Sequence, residues 1–336
     1  MALESRMAAT NRRRPPQSGH CRELLTSNWG AGEPAAFRRI MEQSPLIEIG
    51  LPLSLIVIMA GMGLGLTIQD FRQVVARPKA MLVGTIAQVV LIPALAFGLA
   101  ELMGLSASIA VGLVIIASCP GGTTSNVVTL LARGNVALSI TLTVLASIIT
   151  IVTIPLFTQH ALDMYSISAA ERTVRLPVLR TVLTLSVVVI LPVVMGMFVR
   201  HRSLSFAQRV EPHVGKFGVL VLLLLIALIA YGTRDQVVSL VAQAGPAVTA
   251  LNLAGIAIGF TAGKLFGVER GEGLTIAIEL GVKNGTIGLM VALTLLKSAE
   301  MAIPSAVYGI VMYGFGALLV LFGRRAHAQV RSERPT

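Results

Sequence analysis

The chain has 336 residues, of which 54% are apolar and only 13% charged. Soluble domains carry about 25% charged residues, so half the expected charge is missing and a soluble enzyme is excluded. Two cysteines and five histidines, the latter all in polar segments or at helix ends, offer no disulfide framework, zinc site or catalytic metal cluster. The net charge of +11 invites a nucleic-acid reading, but its distribution follows membrane topology instead. No nucleic-acid partner and no cofactor are expected.

Residues 1–45 form a polar tail with seven arginines (Arg6, Arg12, Arg13, Arg14, Arg22, Arg38, Arg39) and no apolar run of signal-peptide type. It reads as a disordered tail, an organelle-targeting segment or the product of a misplaced start, with Met41 the true beginning. A helix needs about 20 mainly apolar residues to cross the hydrocarbon core. Candidates follow at 46–68, 79–100, 105–132 (interrupted), 136–158, 177–199, 214–231, 245–266, 272–296 (interrupted) and 302–322. The expectation is an all-α polytopic membrane protein of about nine spans, one membrane domain over 46–323, and a C-terminal tail at 324–336. Mostly short connections predict a compact bundle, expected to be a monomer in the bilayer.

The basic residues orient it. One set of alternating loops carries Arg72, Arg77, Lys79, Arg133, Arg200, Arg202, Arg209, Lys216, Lys264, Arg270, Arg324, Arg325, Arg331 and Arg334. The other carries only Arg172, Arg175, Arg180, Arg234 and Lys297. The rich side is expected to be cytoplasmic, with the C-terminus inside and the N-terminus outside, in a bacterial inner membrane.

Two spans are interrupted. In the first, the apolar run Ala110–Ala117 meets Ser118, Cys119, Pro120, Gly121, Gly122, Thr123, Thr124, Ser125 and Asn126 before helix resumes. Proline and two glycines break the helical ladder, and the hydroxyl and amide residues that follow are expected to cap the second half. The other interruption runs from Glu279 through Leu280, Gly281, Val282, Lys283, Asn284 and Gly285 to Thr286. Irregular backbone at membrane depth is tolerated only where protein buries it or it lines a cavity. Paired interrupted segments in the two halves of a chain point to a secondary transporter's binding site, although Pro and Gly also kink ordinary packing helices. Of sixteen acidic residues only Glu279 sits mid-span, and of five lysines only Lys283. Intramembrane charges cost at least about 2.5–3.5 kcal/mol, so both are functional candidates. The plainer reading is an ion pair four residues apart that holds the second break.

The run from Cys119 to Ser139 resembles the signature of the bile acid:sodium symporter family. Gly61, Met62, Gly63 and Leu64 in the first span, and Glu279 to Asn284 in the eighth, resemble further pieces of it. The likeness extends over about residues 46–323. It implies inverted repeats, here four plus five spans, with two broken helices crossing near the membrane centre. It also implies a panel of the spans 46–68, 177–199 and 214–231 beside a core of 79–158 and 245–322.

The family binds two sodium ions. The positions matching its first site are Ser125, Asn126, Ser139, Thr143 and Glu279, all of the family's residue types. Hydroxyl, amide and carboxylate oxygens suit a hard cation, and Ser139 and Thr143 share a helix face. The second site corresponds to Gln88, Glu279, Leu280, Val282 and Lys283. There most members have glutamine where this chain has Lys283, so an oxygen donor has become a cation and a second sodium would be repelled. An ammonium in its place is expected to bond Glu279, Gln88 and nearby carbonyls.

The N-termini of both second half-helices, with Thr123, Thr124, Asn284, Gly285 and Thr286, suit a small organic anion. The resemblance implies bile-acid-like molecules, steroid sulfates or small carboxylates. The expected function is alternating-access transport of such an anion with one Na⁺. The rivals are a Na⁺-independent or proton-coupled carrier of the same fold, an arsenite-type exporter using Cys119, and a non-transporting sensor or channel.

Overall fold

A chain so rich in leucine, valine and isoleucine and so poor in charge must satisfy its backbone within helices once it leaves water. In the structure, a computed structural model, the described residues are 46–67, 69–70, 78–165, 168–169, 172–173 and 176–332. The expectations for the N-terminal tail and the end of the C-terminal tail lie outside them. The helices are α1 (Leu51–Gly65), α2 (Pro78–Leu102), α3 (Ala107–Ser118), α4 (Thr123–Leu131), α5 (Val136–Met164) and α6 (Val178–Arg202), followed by α7 (Leu204–Gly232), α8 (Val237–Leu265), α9 (Arg270–Gly281), α10 (Gly285–Leu295) and α11 (Ala299–Ser332). Among the described residues seven helices are long and apolar enough to cross a membrane, and α3–α4 and α9–α10 form two interrupted segments besides. Between α5 and α6 lies a short antiparallel pairing of Ser168–Ala169 with Arg172–Thr173.

The spans fall where hydropathy puts them, but their ends do not. Helix α7 starts at Leu204, not at residue 214, and α11 runs on to Ser332. Arg209, Glu211 and His213 are too polar for a hydrophobic window yet continue the helix beyond the hydrocarbon. Three helices open into a wider π turn just before a proline: Leu46–Gly50 precedes Pro52, Ala87–Leu91 precedes Pro93, and Ser186–Ile190 precedes Pro192. In each the carbonyl four residues before the proline lies in the wide turn, which relieves the clash with the ring.

Leu82, Leu179, Leu183, Leu220 and Leu224 are exposed along helix faces that the protein does not cover, as a lipid-facing surface requires. The centre is different. Ser108–Ser118 of α3 and Glu272–Gly281 of α9 are buried on every side, the signature of helices enclosed by others. Helices α1 and α6 touch backbone to backbone. A methyl group on Gly63 would strike the Val193 carbonyl, and one on Gly196 the Ala60 carbonyl. Arg200 fastens the same pair by donating to the Leu64 carbonyl at 2.7 Å.

Several boundaries recur 163 residues apart. Helices α3 and α9 start at Ala107 and Arg270 and end at Ser118 and Gly281; α5 and α11 start at Val136 and Ala299. Gly104 and Gly267, both at positive φ just before α3 and α9, keep the same spacing.

Candidate functional site

Helix α3 stops because Pro120 has no N–H to give and forces Cys119 into an extended conformation (φ −68°, ψ 145°). Helix α9 stops at Gly281, followed by extended Val282. The two loose ends solve each other's hydrogen-bonding problem. Gly121 and Lys283 pair as in an antiparallel sheet, and the Asn284 N–H donates to the Pro120 carbonyl at 2.8 Å. Asn284 then caps α10 by accepting from the Ile287 N–H at 3.3 Å. Helix α4 is capped differently from expectation. Gly122 holds the cap position and no side chain caps it; inside the first turn, the Ser125 hydroxyl lies 2.7 Å from the Gly122 carbonyl and 2.6 Å from Glu279 Oε1, and Asn126 faces Ser139.

Five residues of three helices converge there. Glu279 Oε1 accepts from Ser125 Oγ (2.6 Å) and from Ser139 Oγ, and Oε2 accepts from Thr143 Oγ1 at 2.9 Å. Ser139 Oγ is also 2.9 Å from Asn126 Oδ1, and Thr129 Oγ1 donates to it at 3.2 Å. Ser125 and Ser139 lie in the first turns of α4 and α5, so the partial positive ends of both helices face the carboxylate. Glu279 is 1% exposed, and among the described residues no cation lies within ion-pair distance of it. A carboxylate offers about four lone-pair positions and an amide oxygen two more, yet only Ser125, Ser139 and Thr143 bring protons. The cluster is short of positive charge. A hard cation bound among its six oxygens would supply it. Gly121 is required here: a methyl group at that position would run into Glu279 Oε2.

The second set is not drawn together in the same way. Gln88, in the π turn of α2, is 1% exposed and leaves both its side-chain oxygen and nitrogen without a hydrogen-bond partner; Lys283 Nζ is equally buried and equally unpartnered. The expected bonds from Lys283 to Glu279 and Gln88 are therefore absent, and so is the ion pair four residues apart. The physical reason is the break itself. With α9 ending at Gly281, Lys283 no longer lies one turn above Glu279, whose carboxylate faces α4 and α5. The Leu280 and Gly281 carbonyls are instead approached by Tyr308 Oη at 3.4 and 3.0 Å, and Gly281 also accepts from Asn252 Nδ2 at 2.7 Å.

Thr123, Thr124, Asn284, Gly285 and Thr286 all line one cavity of about 660 Å³, which also touches Asn126 and Lys283. Its remaining walls are chiefly apolar, with Ile58 and Met62 from α1 and Val214, Val219 and Leu222 from α7. Sequence reasoning missed Glu211 and Lys216 as lining residues, exposed charges of α7, because Glu211 precedes the apolar window and Lys216, at its edge, counts with the loop charges. It also missed Thr129, Asn252 and Tyr308. The signal for Thr129 was its place one turn beyond Ser125 on α4.

A multi-pass helical bundle whose two broken helices meet at a central cavity is the architecture of an integral membrane transporter. The chain belongs to the Sodium Bile acid symporter family, whose model matches residues 52–240. It is 32% identical over 271 residues to an uncharacterized sodium-dependent transporter of Bacillus subtilis, covering 79% of this chain and 80% of that protein. A probable sodium/metabolite cotransporter of rice chloroplasts is 32% identical over 84% of this chain and 64% of its own length. Human sodium/bile acid cotransporter 4 is 29% identical over 82% and 61%. The chain thus spans four-fifths of the bacterial relative and under two-thirds of these two eukaryotic ones. These relatives are transporters, and this chain is likewise a transporter and not an enzyme.

Proposed function

We propose that the chain is a secondary active carrier of an organic anion, driven by one Na⁺ bound among Ser125, Asn126, Ser139, Thr143 and Glu279. The single observation that carries this reading is the buried carboxylate surrounded by oxygens with too few protons to satisfy them. The sodium dependence named for the Bacillus relative supports the choice of ion. A bound Na⁺ would tie α4, α5 and α9 together beside the crossover and so favour the arrangement that accepts the anion.

The anion's charged end would meet the N-terminal turn of α4 and the Asn284–Thr286 segment, while the apolar walls hold its body. A cavity of about 660 Å³ lies in the range that encloses a drug-sized ligand, which favours an amphipathic anion over a two- or three-carbon acid. The lining reaches Glu211 and Lys216, near the Arg-rich loops assigned to the cytoplasm, so the cavity faces inward. Boundaries repeating at 163 residues fit two inverted repeats, with α1, α6 and α7 as a panel that moves against the remaining core. Lys283 serves as a tethered substitute for a second sodium. It returns with the carrier and so adds nothing to the driving force, whereas each free cation entering down 100 mV contributes about 2.3 kcal/mol.

Uptake into proteoliposomes tests this, using labelled taurocholate, a steroid sulfate, pyruvate and pantoate with and without an inward Na⁺ gradient. Accumulation of at least one anion only with the Na⁺ gradient is expected. Accumulation driven equally by a proton gradient in choline would replace sodium by protons, and uptake of none of the probes under either gradient would count against the organic-anion assignment.

A further inference from the structure

Asn252 and Tyr308 are buried polar side chains in the middle of apolar spans, 0% and 1% exposed, and the transport reading above gives them no task. Polar groups at that depth are costly and are found where they have a partner to serve. Their shared partner is the end of α9. A helix leaves its last carbonyls without intrahelical donors, and in hydrocarbon water cannot fill the gap. The Gly281 carbonyl receives the Asn252 amide at 2.7 Å from α8 and the Tyr308 hydroxyl at 3.0 Å from α11. Glu279 lies two residues back in that same final turn.

The next residue after Tyr308 faces the other way. A methyl group on Gly309 would sit 3.3 Å from a Leu222 methyl of α7, and Leu222 also approaches Gly285 at the crossover. One turn of α11 therefore touches the helix end that aims Glu279 and the side chain of α7 that roofs the cavity.

We infer that Tyr308 and Asn252 are positioning residues for the coupling cation: they fix the carbonyl end of α9, and with it the angle at which Glu279 meets Ser125, Ser139 and Thr143. This rests on the sodium site proposed above. Each donor alone leaves Gly281 one partner, while removing both leaves a bare carbonyl in hydrocarbon, so the two losses must compound.

The test needs no substrate. Purified wild type, Tyr308→Phe, Asn252→Ser and the double variant are titrated with ²²Na⁺ in choline buffer, and their melting in choline alone is recorded. A hydrogen bond of ordinary net strength corresponds to about a threefold to tenfold effect. Each single variant should raise half-saturating Na⁺ by that factor, and the double variant by more than the product of the two. A purely structural role would lower melting in choline and leave half-saturation where it was, which would overturn the inference. Should Tyr308→Phe not reach the membrane, Asn252→Ser decides by the same criterion. Wild type that binds no Na⁺ would instead overturn the sodium site itself, and this inference with it. Normal wild-type binding with unshifted variants sinks only the positioning role.

Discussion

The two helix breaks share a backbone plan and differ in what surrounds them. Beside the first break, Ser125, Asn126, Ser139 and Thr143 surround Glu279. Counting 163 residues on from Ser139 and Thr143 gives Ala302 and Ala306. Counting 163 back from Glu279 gives Ile116; after the breaks the half-helices start 162 apart, at Thr123 and Gly285, so Ser125 and Asn126 correspond to Ile287 and Gly288. Ile116, Ile287, Ala302 and Ala306 are all buried and apolar. The same interrupted geometry thus occurs once as an acid in a shell of oxygens and once as a dry, packed core. A broken helix alone makes no ion site; the side chains laid on it do. At the second break the backbone is steadied by the neutral donors Asn252 and Tyr308 rather than by an ion-binding shell.

The comparison can be broken most severely by removing the acid. Losing one partner of a buried charged interaction costs about 3–5 kcal/mol, a hundredfold or more. Glu279→Ala should therefore abolish both sodium-driven uptake and the rise in melting temperature that Na⁺ gives wild type. Next comes Gly121→Ala, which puts a methyl group where Glu279 Oε2 lies. Overpacking of about 1–3 kcal/mol predicts Na⁺ affinity reduced roughly tenfold to a hundredfold in the same melting assay.

Lys283→Gln should restore an oxygen donor and raise the sodium Hill coefficient of uptake from near one toward two, while Lys283→Ala should lose activity. An unchanged Hill coefficient in Lys283→Gln would mean that the ammonium does not stand in for an ion. Thr143→Val or Ser139→Ala should weaken Na⁺ by only a few-fold, the worth of one ordinary hydrogen bond or less. Smallest of all, planting hydroxyls on the dry side with Ala302→Ser and Ala306→Thr should gain no sodium in ²²Na⁺ binding, because Ile116 supplies no charge.

Much of this arrangement is legible in the amino-acid sequence. Hydropathy located the spans, and Pro120, Gly121 and Gly122 announced the first break. Glu279 stood out as the one acid in mid-span, and the spacing of Ser139 and Thr143 put two hydroxyls on one face of α5. What escaped was whatever depends on direction at a helix end. Glu279 and Lys283 are four apart, but α9 stops between them, so helical periodicity misplaces Lys283. Ser125 had the chemistry of a cap, yet Gly122 takes the cap position of α4 and the Ser125 hydroxyl, inside the first turn, reaches both the Gly122 carbonyl and the carboxylate. Asn252 and Tyr308 each stand alone in an apolar span and bond a backbone carbonyl, a partner with no side-chain identity for a sequence pattern to reveal. The early start of α7 was hidden by Arg209, Glu211 and His213, which are polar enough to leave the hydrophobic window without ending the helix.

The central claim is one sodium ion per chain, held by Glu279, with Lys283 in place of a second. Equilibrium ²²Na⁺ binding to the purified transporter measures it directly. The account predicts one ion per wild-type chain, none in Glu279→Ala and two in Lys283→Gln. Two ions in wild type, or one that survives in Glu279→Ala, would contradict it.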